Sequence, residues 1–203
     1  MSIKYARLIS FLFHPILMVL YMIIIPLYIK LYSDCSSHQF LMLYGMIITG
    51  YLIIPSMILY LLYKIHYIKT LHFEEKQDKM IVYLVFGLFY YATFQLVILL
   101  DLYPLIHIYM LIPILIIAAY ISISFFYEIS SHSLFMGAFT GFFIGLGYDL
   151  QQNYLILILL LIIISGWVLS SQLFLKRHTF REVYSGFFIG LCGLILLFLL
   201  LSK

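Results

Sequence analysis

Between Tyr154 and Leu173 the sequence reads YLILILLLIIISGWVLSSQL, without one charged side chain. A helix needs about 20 mainly apolar residues to cross the hydrocarbon core of a bilayer, and this run has that length. Six further segments read the same way, approximately Leu8–Tyr28, Phe40–Tyr63, Met80–Leu100, Tyr103–Tyr127, His132–Tyr148 and Val183–Leu201. The fifth in chain order, His132–Tyr148, is short and glycine-rich, so the sequence supports six or seven spans. None of the segments alternates apolar and polar residues as the strands of a membrane barrel do. Hydrophobic residues make up 66% of the 203 and charged residues 9%, where a soluble domain carries about 25% charged. Water cannot accommodate such a surface. The expected fold is all-α, a polytopic transmembrane helical bundle in one integral membrane domain over residues 1–203.

Pro15, Pro26, Pro55 and Pro113 fall inside these segments. Kinks are expected there, because neighbouring helices can cover the carbonyls that a proline leaves without a donor. Lys4 and Arg7 precede the first run, which is too long for a signal-peptide core and lacks a small-x-small cleavage site, so it is read as a span. With seven spans, one side of the membrane holds Lys4, Arg7, Lys64, Lys69, Lys76, Lys79, Lys176, Arg177 and Arg181, and the other only Lys30 and Lys203. The positive-inside rule makes the first side cytoplasmic. Cys35 falls in a loop and Cys192 in a span, which argues against a disulfide between them.

Two polar stretches interrupt this apolar chain. In the first, Glu128 and Ile129 lead into Ser130, Ser131, His132 and Ser133 at the mouth of a helix. Ser130 or Ser131 can cap that helix, and the unpaired amides of a helix N-terminus favour an anion, phosphate above all. A histidine at that point can donate a proton to a leaving oxygen. In the second, His178 precedes Thr179, and Glu182 follows three residues after the threonine. Thr-x-x-Glu is a capping box, so a helix is expected to start near Phe180. Glu182 can also reach back one turn to His178, fixing its tautomer and leaving the other ring nitrogen nucleophilic. Both stretches run into the sequence GFFIG, at Gly141–Gly145 and Gly186–Gly190. Small residues four apart let helix backbones approach closely, so the two helices are expected to pack on each other.

The spacing Ser171-Gln172-x5-His178-x3-Glu182 resembles the third signature of the type-2 phosphatidic acid phosphatase superfamily, S-R-x5-H-x3-D. Ile129-Ser130-Ser131-His132 resembles its second, P-S-G-H. Val183, Ser185 and Gly186 after the acidic residue fit the same pattern. For the first signature, K-x6-R-P, Lys69-x6-Lys76 has the spacing, with Gln77 where proline stands. The segment KQDKMIV at Lys76–Val82 is closer to the charged first-signature segment of short members from Bacteroidetes-type bacteria, and the pair His14-Pro15 in the first span resembles those members too. The resemblance implies a phosphatase-like core over about residues 69–191, with two extra N-terminal spans over about 8–63. It implies a two-step phosphoryl transfer in which His178 attacks phosphorus, Glu182 orients it and His132 protonates the leaving group. Ser130, Ser131, Gln172, Lys76 and Lys79 would then hold the phosphate. It implies a membrane lipid as substrate, a bacterial inner (cytoplasmic) membrane as location, and neither a metal nor another cofactor.

The departures fall on charge. Gln172 replaces the signature arginine, and a neutral amide makes no charged bidentate grip. Ser131 replaces glycine, Ile129 replaces proline, and Glu182 replaces aspartate with a longer arm. Stabilising the charge that develops on the phosphoryl group is usually what contributes most to catalysis of such transfers. Two classes of function therefore stand side by side. One is a lipid phosphatase acting on a phospholipid or polyprenyl (di)phosphate. The other is a non-catalytic relative that binds a lipid phosphate or a partner membrane protein. The sequence leaves pairing with copies of itself open. His66, His72, Glu74 and Glu75 match no standard metal spacing and read as a solvated loop. His107, within the fourth span, could face the bundle interior. No P-loop, dinucleotide fingerprint or nucleic-acid patch occurs.

Overall fold

Proline sets the first break in the chain. In the structure, a computed structural model that describes residues 2–28, 37–68, 76–100, 104–149 and 151–201, the first apolar run forms two helices. Helix α1 (Ile3–Leu12) ends where Pro15 begins α2 (Pro15–Pro26), and the two are bent by 47°. Proline lacks an N–H and clashes with the preceding turn. The single span expected over Leu8–Tyr28 is thus a bent pair that starts earlier.

The remaining helices follow the apolar runs. They are α3 (Ser37–Ile48), α4 (Ile54–Lys64), α5 (Lys76–Leu99), α6 (Pro104–Phe126), α7 (Ser131–Asp149), α8 (Leu155–Phe174) and α9 (Phe180–Leu201). A π-helical stretch, Thr49–Ile53, joins α3 to α4 just before Pro55. The wider turn carries the helix past a residue that cannot donate to the ladder. No strand occurs among the described residues. Five helical segments are long and apolar enough to cross a membrane, namely Phe40–Lys64, Lys76–Leu99, Ile106–Phe126, Leu155–Phe174 and Phe180–Leu200, or six with the bent pair taken as one span. The chain is an integral membrane protein. Helix α7, expected as a span, forms over the anticipated residues but stays outside this set, because its serines and glycines dilute its apolar character.

The chain divides into two compact units, Met1–Val19 with Ser122–Lys203, and Leu20–Ile121. In the first, α7 is the core. From Ser131 to Leu146 every residue except His132 and Ile144 is buried. Its densest packing is against α9, and the glycines explain why. A Cβ on Gly137 would collide with the Phe187 carbonyl, one on Gly141 with the Leu191 carbonyl, and one on Gly190 with the Leu134 carbonyl. Backbone therefore lies on backbone along the α7–α9 seam, as the two GFFIG sequences predict. Against α8, the Thr140 and Ser165 hydroxyls meet at 3.3 Å, and each also donates to a carbonyl of its own helix.

In the second unit Tyr51 stacks on Tyr90 with ring centroids 4.1 Å apart. Its hydroxyl donates to the Met110 carbonyl at 3.1 Å, in the turn before Pro113, where proline interrupts the ladder of α6. Lys76, Asp78 and Lys79 lie in the first turn of α5, with Asp78 buried.

The seam yields a paired test. Gly190→Ala puts a methyl against the Leu134 backbone, and overpacking of this kind costs about 1–3 kcal/mol. Gly193→Ala meets nothing within 4 Å, and gains up to about 1 kcal/mol of helix propensity. Thermal unfolding in detergent should show Gly190→Ala below the parent and Gly193→Ala at or above it.

Candidate functional site

Helices α7 and α9 begin side by side, each with its own cap. Ser130 is the N-cap of α7, its hydroxyl accepting the Ser133 N–H at 3.4 Å. Thr179 is the N-cap of α9, which starts at Phe180 as the capping box predicts; Thr179 Oγ1 accepts the Glu182 N–H at 3.4 Å. The two starts are joined, since the Ser130 N–H donates to the Glu182 carbonyl at 3.2 Å. Close glycine packing allows this: a Cβ on Gly186 would lie 3.0 Å from the Ser130 carbonyl.

Glu182 is shared between two partners. Its Oε2 accepts from His178 Nδ1 at 2.7 Å, and its Oε1 accepts from the Thr179 hydroxyl at 2.8 Å. The cap and the histidine contact, two readings of one carboxylate in the sequence, coexist because each uses a different oxygen. With its proton on Nδ1, neutral His178 carries its lone pair on Nε2. His178 and Glu182 are 11% and 18% exposed, which keeps the pair half-shielded at the end of the unit.

His132 approaches from α7. Its Nε2 donates to the Ser10 carbonyl of α1 at 3.2 Å. Its ring meets His14 edge to face, with centroids 5.4 Å apart and planes at 89°. Arg177 and His178 both lie near enough to act on His132 through space, and Arg177 also acts on His14. The structure thus gathers His14, His132, His178, Glu182 and Arg177 around one end of the first unit. No group of three or more metal-ligating side chains able to hold an ion is found among the described residues.

Gln172 does something else. It is 1% exposed, and its Nε2 donates to Ser10 Oγ at 3.1 Å. Ser10 Oγ lies 3.2 Å from Ser171 Oγ, and the Ser171 hydroxyl donates to the Val168 carbonyl at 2.7 Å. The side chain at the signature-arginine position ties α8 to α1 through a buried chain of hydrogen bonds. Ser130 and Ser131 are buried at 0% and 6%. Lys76 and Lys79 belong to the second unit, Lys76 exposed and Lys79 half-buried. Lys69, His72, Glu74, Glu75 and Cys35 lie outside the described residues, while His66 is exposed and Cys192 is exposed on α9. His107 is half-buried, its ring edge-on to Phe94 and its Nε2 buried without a partner among the described residues.

Sequence reasoning missed Ser10 as a partner and, though it placed Ser133 in the polar stretch, missed the burial of its hydroxyl. The Ser133 hydroxyl is wholly buried and finds no partner among the described residues. Only the His14-Pro15 pair was a visible signal, and it carried no geometry. Compared with known proteins, the chain matches no family model, no curated sequence and no solved structure.

The setting of Gln172 reverses the intuitive repair. Gln172→Arg would force a guanidinium into a filled polar chain, and an uncompensated buried charge costs roughly 3–5 kcal/mol. Thermal unfolding should show it well below the parent. Gln172→Leu, which loses the hydrogen bond to Ser10 but adds no charge, should unfold between the two.

Proposed function

We propose that this protein is a membrane lipid phosphatase of the type-2 phosphatidic acid phosphatase kind, using a phosphohistidine intermediate. The observation that carries the reading is the His178–Glu182 pair beside His132 at the joined starts of α9 and α7. Two histidines, one backed by a carboxylate and one at a helix N-terminus, supply a nucleophile and a proton donor. The helix N-termini add positive ends toward an anion.

The reaction runs in two displacements. His178 Nε2 attacks phosphorus, the bond from phosphorus to the lipid oxygen breaks, and that oxygen takes the Nδ1 proton of His132, which enters the step as the imidazolium and leaves it neutral with its Nε2 proton still on the Ser10 carbonyl. Water then attacks the phosphohistidine, gives its proton to His132, and the P–N bond breaks to release inorganic phosphate. Glu182 holds the Nδ1 proton and stabilises the charge that develops on the ring. Arg177, which acts on His132 and His14 through space, is a candidate cation for the phosphate in place of the signature arginine. The substrate is a phosphomonoester or diphosphate of a phospholipid or polyprenyl lipid, in a bacterial cytoplasmic membrane.

A second reading rests on Gln172. Its amide is committed to Ser10, so the grip that the family's arginine provides is missing at that position. A non-catalytic relative that binds a lipid phosphate, or a partner membrane protein, would tolerate this loss.

Purified protein given a panel of radiolabelled lipid phosphates separates the two. The phosphatase releases phosphate and forms an acid-labile, base-stable phosphoenzyme that His178→Ala abolishes. His132→Ala keeps turnover of p-nitrophenyl phosphate better than that of lipid alkoxides, because a good leaving group needs no proton. Glu182→Gln lowers turnover far more than stability, since a cap is worth only about 1 kcal/mol. Binding without release by any variant sinks the enzyme reading.

Sidedness is tested separately. The positive bias places the Lys64–Lys79 loop in the cytoplasm. In a Cys35→Ser, Cys192→Ser background, Gln77→Cys should react slowly with an impermeant maleimide in intact cells and rapidly after lysis. Rapid labelling of intact cells would invert the topology.

A further inference from the structure

The break between α1 and α2 changes which backbone groups are available. In an unbroken helix the Ser10 carbonyl would accept from the His14 N–H, four residues on. Here the His14 N–H donates to the Phe11 carbonyl instead, at 3.2 Å, and the Phe13 N–H to the Ile9 carbonyl at 3.0 Å. Pro15 offers no N–H to Phe11, which is why His14 takes its place. The Ser10 carbonyl is thereby released, and His132 Nε2 meets it at 3.2 Å.

The same break fixes the His14 ring. With Pro15 as the first residue of α2, the first amide there that needs an acceptor belongs to Ile16. His14 Nδ1 accepts it at 3.4 Å, capping the helix with an imidazole. The capped ring then stands at 89° to His132. His132 is held at two places, by a carbonyl on one ring nitrogen and by a ring at its side, and both come from the His14-Pro15 break.

We infer that the broken first helix is part of the site: His14 and the released Ser10 carbonyl are positioning elements that hold the Nε2 proton of His132, leaving Nδ1 to give and take the proton of the reaction. His14 acts through His132 and does not itself touch substrate. This rests on the phosphatase reading for its catalytic meaning, and on hydrogen bonding alone for its structural content. It also assigns a purpose to a proline in the first apolar run, where helix continuity would otherwise be favoured.

Two variants separate the parts. Pro15→Ala restores an N–H for Phe11, so the His14 N–H can return to Ser10 and His132 loses its acceptor. His14→Asn keeps a capping oxygen for the Ile16 N–H and removes only the ring. The first readout needs no activity. Protein labelled with 15N-histidine in nanodiscs, with His132 assigned through His132→Gln and the pH raised until its ring is neutral, should show one His132 tautomer in the parent, protonated on Nε2. In Pro15→Ala, and to a lesser degree in His14→Asn, the His132 resonances should move toward a tautomer mixture while the His178 resonances stay in place.

The second readout is turnover. Each variant should lose on the order of 10-fold on lipid phosphates, as is typical when the partner that orients a functional histidine is removed, and should spare p-nitrophenyl phosphate. Combined with His132→Ala, neither should cause a further loss, because residues acting through one group are not additive. An unchanged His132 tautomer in both variants, or losses that add to that of His132→Ala, overturns the inference. If the parent hydrolyses no lipid phosphate while the tautomer shifts as expected, the brace stands and the phosphatase reading falls.

Discussion

Backbone-on-backbone contact between α7 and α9 is the constraint from which the first unit follows. Lipid tails are as apolar as leucine, so helices in a membrane gain little by hiding apolar side chains from them and rely on close van der Waals fit. Gly137, Gly141 and Gly190 remove the atoms that would keep the two axes apart. Once the helices touch at that distance, their register is set by which carbonyl fits under which glycine. That register brings the Ser130 amide onto the Glu182 carbonyl. Two loops distant in sequence become one polar corner.

The corner is economical in its use of groups. Glu182 serves a cap with one oxygen and a histidine with the other. Ser10 gives its carbonyl to His132 and its hydroxyl to Gln172 and Ser171. Each such group fixes two neighbours at once, which matters where water is scarce and an unpaired polar atom is costly. A reactive histidine needs this kind of support, because its tautomer is decided by whatever its second nitrogen touches. The proposed chemistry asks for two histidines that work through opposite kinds of nitrogen, Nε2 of His178 attacking and Nδ1 of His132 passing the proton. Glu182 on one and the Ser10 carbonyl on the other provide that difference.

What was legible in the sequence was local. Apolar runs marked the helices, Thr-x-x-Glu marked the start of α9, and the two GFFIG stretches marked the seam, because each depends on residues within a turn or two of one another. The i to i+4 pairing of His178 with Glu182 was legible for the same reason. Gln172 was not: spacing put it where a phosphate grip is expected, and only the distant Ser10 shows that its amide is spent on holding helices together. His14 was visible as a His-Pro pair but mute, since its meaning lies in a carbonyl left open earlier in α1, at Ser10, and in the ring of His132, far along the chain. The bend itself was expected at Pro15, while the π-helical turn before Pro55 has no sequence mark beyond the proline.

Helix α7 has a consequence for how the protein is made. It is shut inside the first unit, yet it is not among the helices apolar enough to cross a membrane by themselves. A segment with so many serines and glycines partitions weakly into lipid when it leaves the ribosome, and the surface that shelters it on α9 is synthesised only after the whole of α8. Its final placement therefore waits on α9. Biogenesis runs backwards at this point: the late, greasy helix draws in the early, hesitant one, and a chain stopped by truncation after α8 would present α7 to quality-control proteases as unassembled.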